Sequence, residues 1–191
     1  MNNSWFLDIN HFARSTPWLH AFFTAYAEYG IGLFAVLMLI AWWVSRREMD
    51  RVMAAVLLTP IVAVFSFIIN QPISSHFKHP RPFTIWPNVL VLVTKTHDWS
   101  FPSDHAVASG AITVALFYVS RKLGLVASAL ALVMAFARVY VGVHFPMDVV
   151  VGLLEGGLIA GLFSFLFSAT LTRWVHVLRR NRLTGILLSD R

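Results

Sequence analysis

Five apolar runs, parted by polar, proline-rich or basic stretches, set the pattern of this chain. The first spans about Leu19 to Val44, interrupted only by His20, Thr24, Glu28 and the Gly30/Gly32 pair, and it stops at Ser45-Arg46-Arg47. Runs of this kind match the about 20 apolar residues that a helix needs to cross a bilayer. A second predicted spanning helix covers about Val52 to Ile69 with Pro60 inside it, a residue that membrane helices tolerate where neighbours satisfy the freed carbonyl. The third runs from near Ser103 to about Ser120, the fourth from Leu123 to about Val141, and the fifth from about Pro146 to Leu171. Short joins make these last three antiparallel neighbours. Splitting the first run at Gly30 would give six spans, but about 26 apolar residues are too few for two crossings, so five are expected.

The polar stretches predict the rest of the architecture. Residues Met1 to Trp18 mix Trp5, Phe6, Leu7, Ile9 and Phe12 with Asp8, Asn10, His11 and Arg14, as a short helix in the membrane interface would, and Pro17 ends it. Asn70 to Ser100 holds Pro72, Pro80, Pro82, Pro87 and the polar run Thr94 to Asp98, which reads as a long loop or half-buried cap. The tail Thr172 to Arg191 alternates Trp174, Val175, Val177 and Leu178 with Arg173, Arg179, Arg180 and Arg182, a basic amphipathic surface segment. The expected fold class is all-α: a polytopic membrane helix bundle, one domain over residues 1–191, with interfacial segments at both ends.

Composition strengthens the membrane reading. Of 191 residues 58% are hydrophobic and 13% charged, with sixteen Phe, outside the range of soluble domains. With no Cys, there is no disulfide, thiolate nucleophile or thiolate metal site. The formal charge of +6 forms no basic stripe with interleaved aromatics, so no nucleic-acid partner is expected. One basic residue and no small-residue cleavage site in the first fifteen positions argue against a removable signal peptide. Ten of the fifteen Lys and Arg fall on one side of a five-span topology (Arg46, Arg47, Arg51, Arg121, Lys122 and the arginines from Arg173 on). Basic loops stay cytoplasmic, which puts Arg14, Lys78, Arg81, Lys95 and Arg138 on the extracytoplasmic side.

Three polar islands on that side carry candidate chemistry: His79-Pro80-Arg81-Pro82, Phe101-Pro102-Ser103-Asp104-His105, and Arg138 with His144 and Asp148. The four-residue step from His144 to Asp148 is one helical turn, so the carboxylate can fix the tautomer of the imidazole and stabilise its cationic form. His144 is then a candidate nucleophile through a phosphohistidine intermediate, and His105 a candidate acid and base. Arg81 and Arg138 supply permanent planar cations for phosphoryl oxygens. Ser103 adds a hydroxyl, and the amides opening the third helix, including the backbone amide of Asp104, add anion-facing donors. This set calls for no metal and no cofactor. Glu28 and Glu155 lie within apolar helices, where an ionisable group usually marks function or a buried partner, and Glu28 is an accessory candidate for the site.

The islands resemble the signature motifs of the type 2 phosphatidic acid phosphatase superfamily, KxxxxxxRP, PSGH and SRxxxxxHxxxD. The match covers about Ser74 to Asp148: Arg81 and Pro82 fit the first motif, Pro102, Ser103 and His105 the second, and Arg138, His144 and Asp148 the third. Three positions depart from it, with Ser74 in place of lysine, Asp104 in place of glycine and Ala137 in place of serine. Lys78 is the candidate substitute for the absent lysine, with His76 and His79 as further candidates. The resemblance implies a metal-independent phosphatase with a phosphohistidine intermediate. The PSDH form looks like the bacitracin-resistance type of bacterial undecaprenyl pyrophosphate phosphatase, which implies a polyprenyl diphosphate substrate, a bacterial inner-membrane location and a role in recycling the cell-wall carrier lipid. Phosphatidylglycerophosphate, lipid A 1-phosphate and phosphatidic acid are alternative substrates. A carrier-lipid transporter or sequestering protein is the non-enzymatic alternative, although neither repeated halves nor broken midplane helices are visible in the sequence.

Overall fold

In the computed structural model all regular elements among the described residues, 2–180 and Leu188, are helical. Helix α1 (Asn2–Ser15) is followed by a single 3₁₀ turn (Pro17–Leu19), α2 (His20–Tyr29), α3 (Ile31–Ser45), α4 (Asp50–Phe77), the one-turn α5 (Pro82–Ile85), α6 (Asp104–Val119), α7 (Arg121–Tyr140) and α8 (Pro146–Arg180). Each predicted apolar run is helical, and the chain is an integral membrane protein. By length and composition α4 with α5, α7 and α8 can each cross a bilayer.

The first apolar run is not straight. It bends by 57° between Pro17–Tyr29 and Ile31–Ser45, so the two pieces together make one further, broken span. The bend sits at Gly30, where helices kink when a side chain is missing and the next bond tightens to Leu33 N–H on the Gly30 carbonyl, 3.0 Å. A Cβ at Gly30 would lie 2.9 Å from the Met134 side chain, so the glycine also lets the bend approach α7. The third predicted span, α6, is a 16-residue apolar helix. At 1.5 Å per residue it is about 24 Å long, short of an about 30 Å hydrocarbon core. It packs against α4, α7 and α8, and half of its residues are buried in the bundle.

Contact between α6 and α8 is made possible by small residues. A Cβ on Gly156 would fall 1.9 Å from the Val107 carbonyl oxygen, and one on Gly110 would fall 2.3 Å from that of Leu153. Close backbone approach of this kind is how membrane helices gain packing without a hydrophobic driving force. Leu39, Leu154, Leu158 and Phe165 point outward as the lipid-facing surface.

Two predicted boundaries move. Helix α4 runs through Pro60 and Pro72 to Phe77, well past Ile69, and stops at Lys78 in the left-handed conformation (φ 49°). The polar Asn70 and Gln71 do not end the helix because both donate to Asp104, at 2.6 and 3.0 Å. Helix α8 continues unbroken to Arg180 where a separate surface segment was expected. Val175 packs on Met53 and Ala54, and Arg179 donates to Asp50 at 2.7 Å and to the Ser45 and Glu48 carbonyls. The expectation for Asn181 onward, Arg182 included, falls outside the described residues. Helix α1 is amphipathic as predicted, but its inner face packs on protein. Asn10 exchanges two hydrogen bonds with the backbone of Leu90 (2.8 and 3.0 Å), while Trp5 and Phe12 face outward.

Candidate active site

Four helix ends converge at the end of the bundle opposite the Arg46–Arg47 turn: the C-termini of α4 and α7 and the N-termini of α6 and α8. Between α7 and α8 the chain turns in five residues. Gly142 adopts φ +84°, and a Cβ there would lie 2.1 Å from the Leu90 carbonyl oxygen, so the turn demands glycine twice over. That turn delivers His144 to the centre. Asp148, in the first turn of α8, accepts from the Phe145 amide at 2.9 Å, and its own carbonyl accepts from the Ser103 amide at 3.1 Å, which fastens the start of α6 to the start of α8.

His144 is 2% exposed and has a different partner on each ring nitrogen. Nε2 faces two guanidinium groups, with Arg81 Nη1 donating at 3.2 Å and Arg138 Nη2 at 3.5 Å. An arginine has no acceptor, so Nε2 must carry the lone pair and Nδ1 the proton. Nδ1–H donates to the Ser100 carbonyl at 2.7 Å. The proton assignment is thus required from both sides of the ring. Burial, then the charges of Arg138 and Arg81, hold the His144 pKa well below 6.5 despite the opposing Ser100 carbonyl, with His105 adding to the lowering. The imidazole is neutral, with its lone-pair nitrogen facing the space between two cations.

The role expected of Asp148 is divided in the structure. Its Oδ2 lies 3.7 Å from His144 Nδ1, beyond hydrogen-bond distance, and accepts instead from the Ser100 hydroxyl and the Phe145 amide. The tautomer is fixed by Ser100, with Asp148 behind it.

Both arginines are held from behind. Arg81, 5% exposed, precedes Pro82 at the start of α5 and forms a two-pronged ion pair with Asp98 (2.8 and 3.2 Å), while Nη1 also donates to the Val143 carbonyl at 3.0 Å. Burial raises the Asp98 pKa, but the bonds from Thr96 and Arg81 and the charge of Arg81 outweigh it, and the net shift is below the usual carboxylate value. Arg138, 9% exposed near the end of α7, donates to the Ala27 carbonyl of α2 at 3.1 Å.

The remaining predicted residues divide. Ser103 is fully buried, and among the described residues its hydroxyl has no partner, although it precedes α6 at the cap position, where a hydroxyl would normally bond the helix. His105, at the second position of α6, is half-buried and close enough for its charge to act on His144. The Asp104 carboxylate turns aside to Asn70 and Gln71, leaving only its amide at the helix start. Lys78 and Glu28 are exposed; Glu28 follows Ala27, whose carbonyl accepts from Arg138, and its charge acts on that guanidinium. Among the described residues no group of three His, Asp or Glu side chains is placed to hold a metal ion. Sequence reasoning passed over Ser100, Asp98, Asn70 and Gln71. Only Asp98 carried a signal, as the last member of a polar run.

A helical membrane bundle that sets a neutral histidine against two buried arginines is built to process an anion at a membrane surface. Residues 54–172 match the PAP2 superfamily, and the chain belongs to that superfamily of phosphatases. It is 31% identical to undecaprenyl-diphosphatase BcrC of Bacillus subtilis (strain 168), over 94% of this chain and 91% of that protein. It is also 31% identical to a Bacillus licheniformis protein named bacitracin transport permease protein BcrC, over 92% and 84% of the two chains. The crystal structure of a transmembrane PAP2-type phosphatidylglycerolphosphate phosphatase from Bacillus subtilis shares the fold, with a TM-score of 0.64, 21% identity and coverage of 94% and 88%.

Proposed function

We propose that the protein removes the terminal phosphate of undecaprenyl diphosphate at the extracytoplasmic face of a bacterial inner membrane. The observation that carries this reading is His144 Nε2, a lone pair held between Arg81 and Arg138 with its proton locked on the far nitrogen. In the first step Nε2 attacks the terminal phosphorus, forming an N–P bond as the bridging P–O bond breaks. His105 delivers a proton to the departing undecaprenyl phosphate. In the second step His105 takes a proton from water, the water oxygen attacks phosphorus, and inorganic phosphate leaves with His144 restored. Arg81, Arg138, the Ser103 hydroxyl and the first amides of α6 hold the equatorial oxygens, where charge accumulates. Lys78, exposed at the end of α4, is left as an outer cation for the incoming lipid.

The named activity of the Bacillus subtilis relative favours the diphosphate lipid, and the charge pattern favours the outer face. Arg46, Arg47, Arg51, Arg121 and Lys122 lie at the end opposite the site, which by the positive-inside rule is cytoplasmic. Phosphate release from purified protein, measured with undecaprenyl diphosphate, phosphatidylglycerophosphate, lipid A 1-phosphate and phosphatidic acid, tests the substrate. The highest kcat/KM is expected for the diphosphate, and a preference for any of the others would reassign it.

The name of the Bacillus licheniformis relative favours a second reading, in which the protein transports or sequesters rather than hydrolyses. That role needs the arginines but gains nothing from an imidazole held as a nucleophile. Cells carrying His105→Ala and His144→Ala should lose bacitracin tolerance if hydrolysis is the function and keep it if sequestration is.

A further inference from the structure

Ser100 is fully buried and uses all three of its polar groups on the chains around it. Its amide donates to the His79 carbonyl at 2.8 Å, two residues before Arg81. Its carbonyl accepts from His144 Nδ1–H at 2.7 Å. Its hydroxyl donates to Asp148 Oδ2, and the same oxygen lies 3.5 Å from His144 Nδ1. Because the hydroxyl proton is committed to Asp148, the Ser100 oxygen lone pairs are turned toward the imidazole N–H. Asp148 itself is too far from Nδ1 to bond it, at 3.7 Å.

We infer that Ser100 is the positioning residue of the nucleophile: its carbonyl fixes the His144 tautomer, and its hydroxyl passes the negative charge of Asp148 to the ring. As Nε2 bonds phosphorus, positive charge develops on the imidazole and concentrates at Nδ1–H, which the carbonyl and the polarised hydroxyl receive together. The link from carboxylate to imidazole runs through a third side chain, and removing the hydroxyl disconnects the two without touching substrate. Ser100 therefore acts through His144, and its loss is felt in kcat and not in KM. The inference rests on the phosphatase reading of the same centre.

The test compares Ser100→Ala, which keeps the carbonyl and deletes the hydroxyl, with Ser100→Thr, which restores it. With undecaprenyl diphosphate in detergent, Ser100→Ala should lower kcat about tenfold or more and leave KM within about twofold, and Ser100→Thr should recover most of the loss. Adding Ser100→Ala to Asp148→Asn should cost little beyond Asp148→Asn alone, because both changes break one link. Melting temperature in detergent separates this from misfolding. A Ser100→Ala protein with unchanged kcat, a loss confined to KM, a loss that Thr does not rescue, or fully additive losses would each overturn the assignment. A second readout needs no turnover. In protein labelled with ¹⁵N-histidine, the His144 Nδ1–H resonance, identified by its absence in His144→Ala, should be strongly hydrogen-bonded in the wild type and in Ser100→Thr. It should be shifted or exchange-broadened in Ser100→Ala, and no change there would count against the inference. If the wild type released no phosphate from any lipid tested, the assigned reaction would fall, while this resonance would still report the Ser100 hold on His144.

Discussion

The neighbours of His144 keep its imidazole neutral. Because its pKa lies below 6.5, lowering the pH through 6.5 leaves Nε2 unprotonated, whereas an ordinary histidine would lose its lone pair there. Rapid-quench measurement of phosphoenzyme formation should therefore show no fall with a midpoint near 6.5, and such a fall would mean the ring is not held as described. Asp98 is the corresponding support of Arg81, although its exposed side makes it the weaker of the two holds. Asp98→Asn keeps the shape but removes the charge, and should lower kcat/KM about three- to tenfold in a steady-state assay. The sequence pointed to Arg81, Arg138, His105 and His144 because their spacing fits three separate motifs on the side of the chain that is poor in basic residues. It concealed Ser100 because serines are common, and it marked Asp98 only as the end of a polar run; the importance of both comes from where the cap between α4 and α6 folds back.

Among the elements, α6 and α8 bring His105 and Asp148 to the site, and their contact depends on absent side chains. Gly156→Ala would drive a Cβ to within 1.9 Å of the Val107 carbonyl oxygen, whereas Gly157→Ala would meet only Val114 Cγ2 at 3.2 Å. Thermal unfolding in detergent should show Gly156→Ala destabilised by about 1–3 kcal/mol, as overpacked contacts are, and Gly157→Ala close to wild type. Apolar length revealed the helices themselves. It did not reveal how far α4 and α8 extend, since polar residues beyond the expected ends, Asn70 and Gln71 in one and Arg179 in the other, are satisfied by Asp104 and Asp50 across the bundle. Nor did it reveal the 57° bend at Gly30, which depends on α7 coming close.

For the whole molecule, the question is which end of the bundle faces out. The chain lacks cysteine, so single replacements report topology without background. Exposed His97, on the cap beside the site, and exposed Arg121, on the opposite end, are suitable positions. In intact cells His97→Cys should react with a membrane-impermeant maleimide and Arg121→Cys only after lysis. The reverse pattern would turn the site inward and remove the argument for an extracytoplasmic substrate. The central claim, that His144 carries the phosphoryl group, is tested most directly by mixing the protein with undecaprenyl diphosphate, quenching in alkali to preserve phosphohistidine, and mapping the modified peptide by mass spectrometry. Phosphate is expected on His144 in the wild type, with neither phosphoenzyme nor turnover in His144→Ala. Phosphate on another residue, or sustained turnover by His144→Ala, would contradict it.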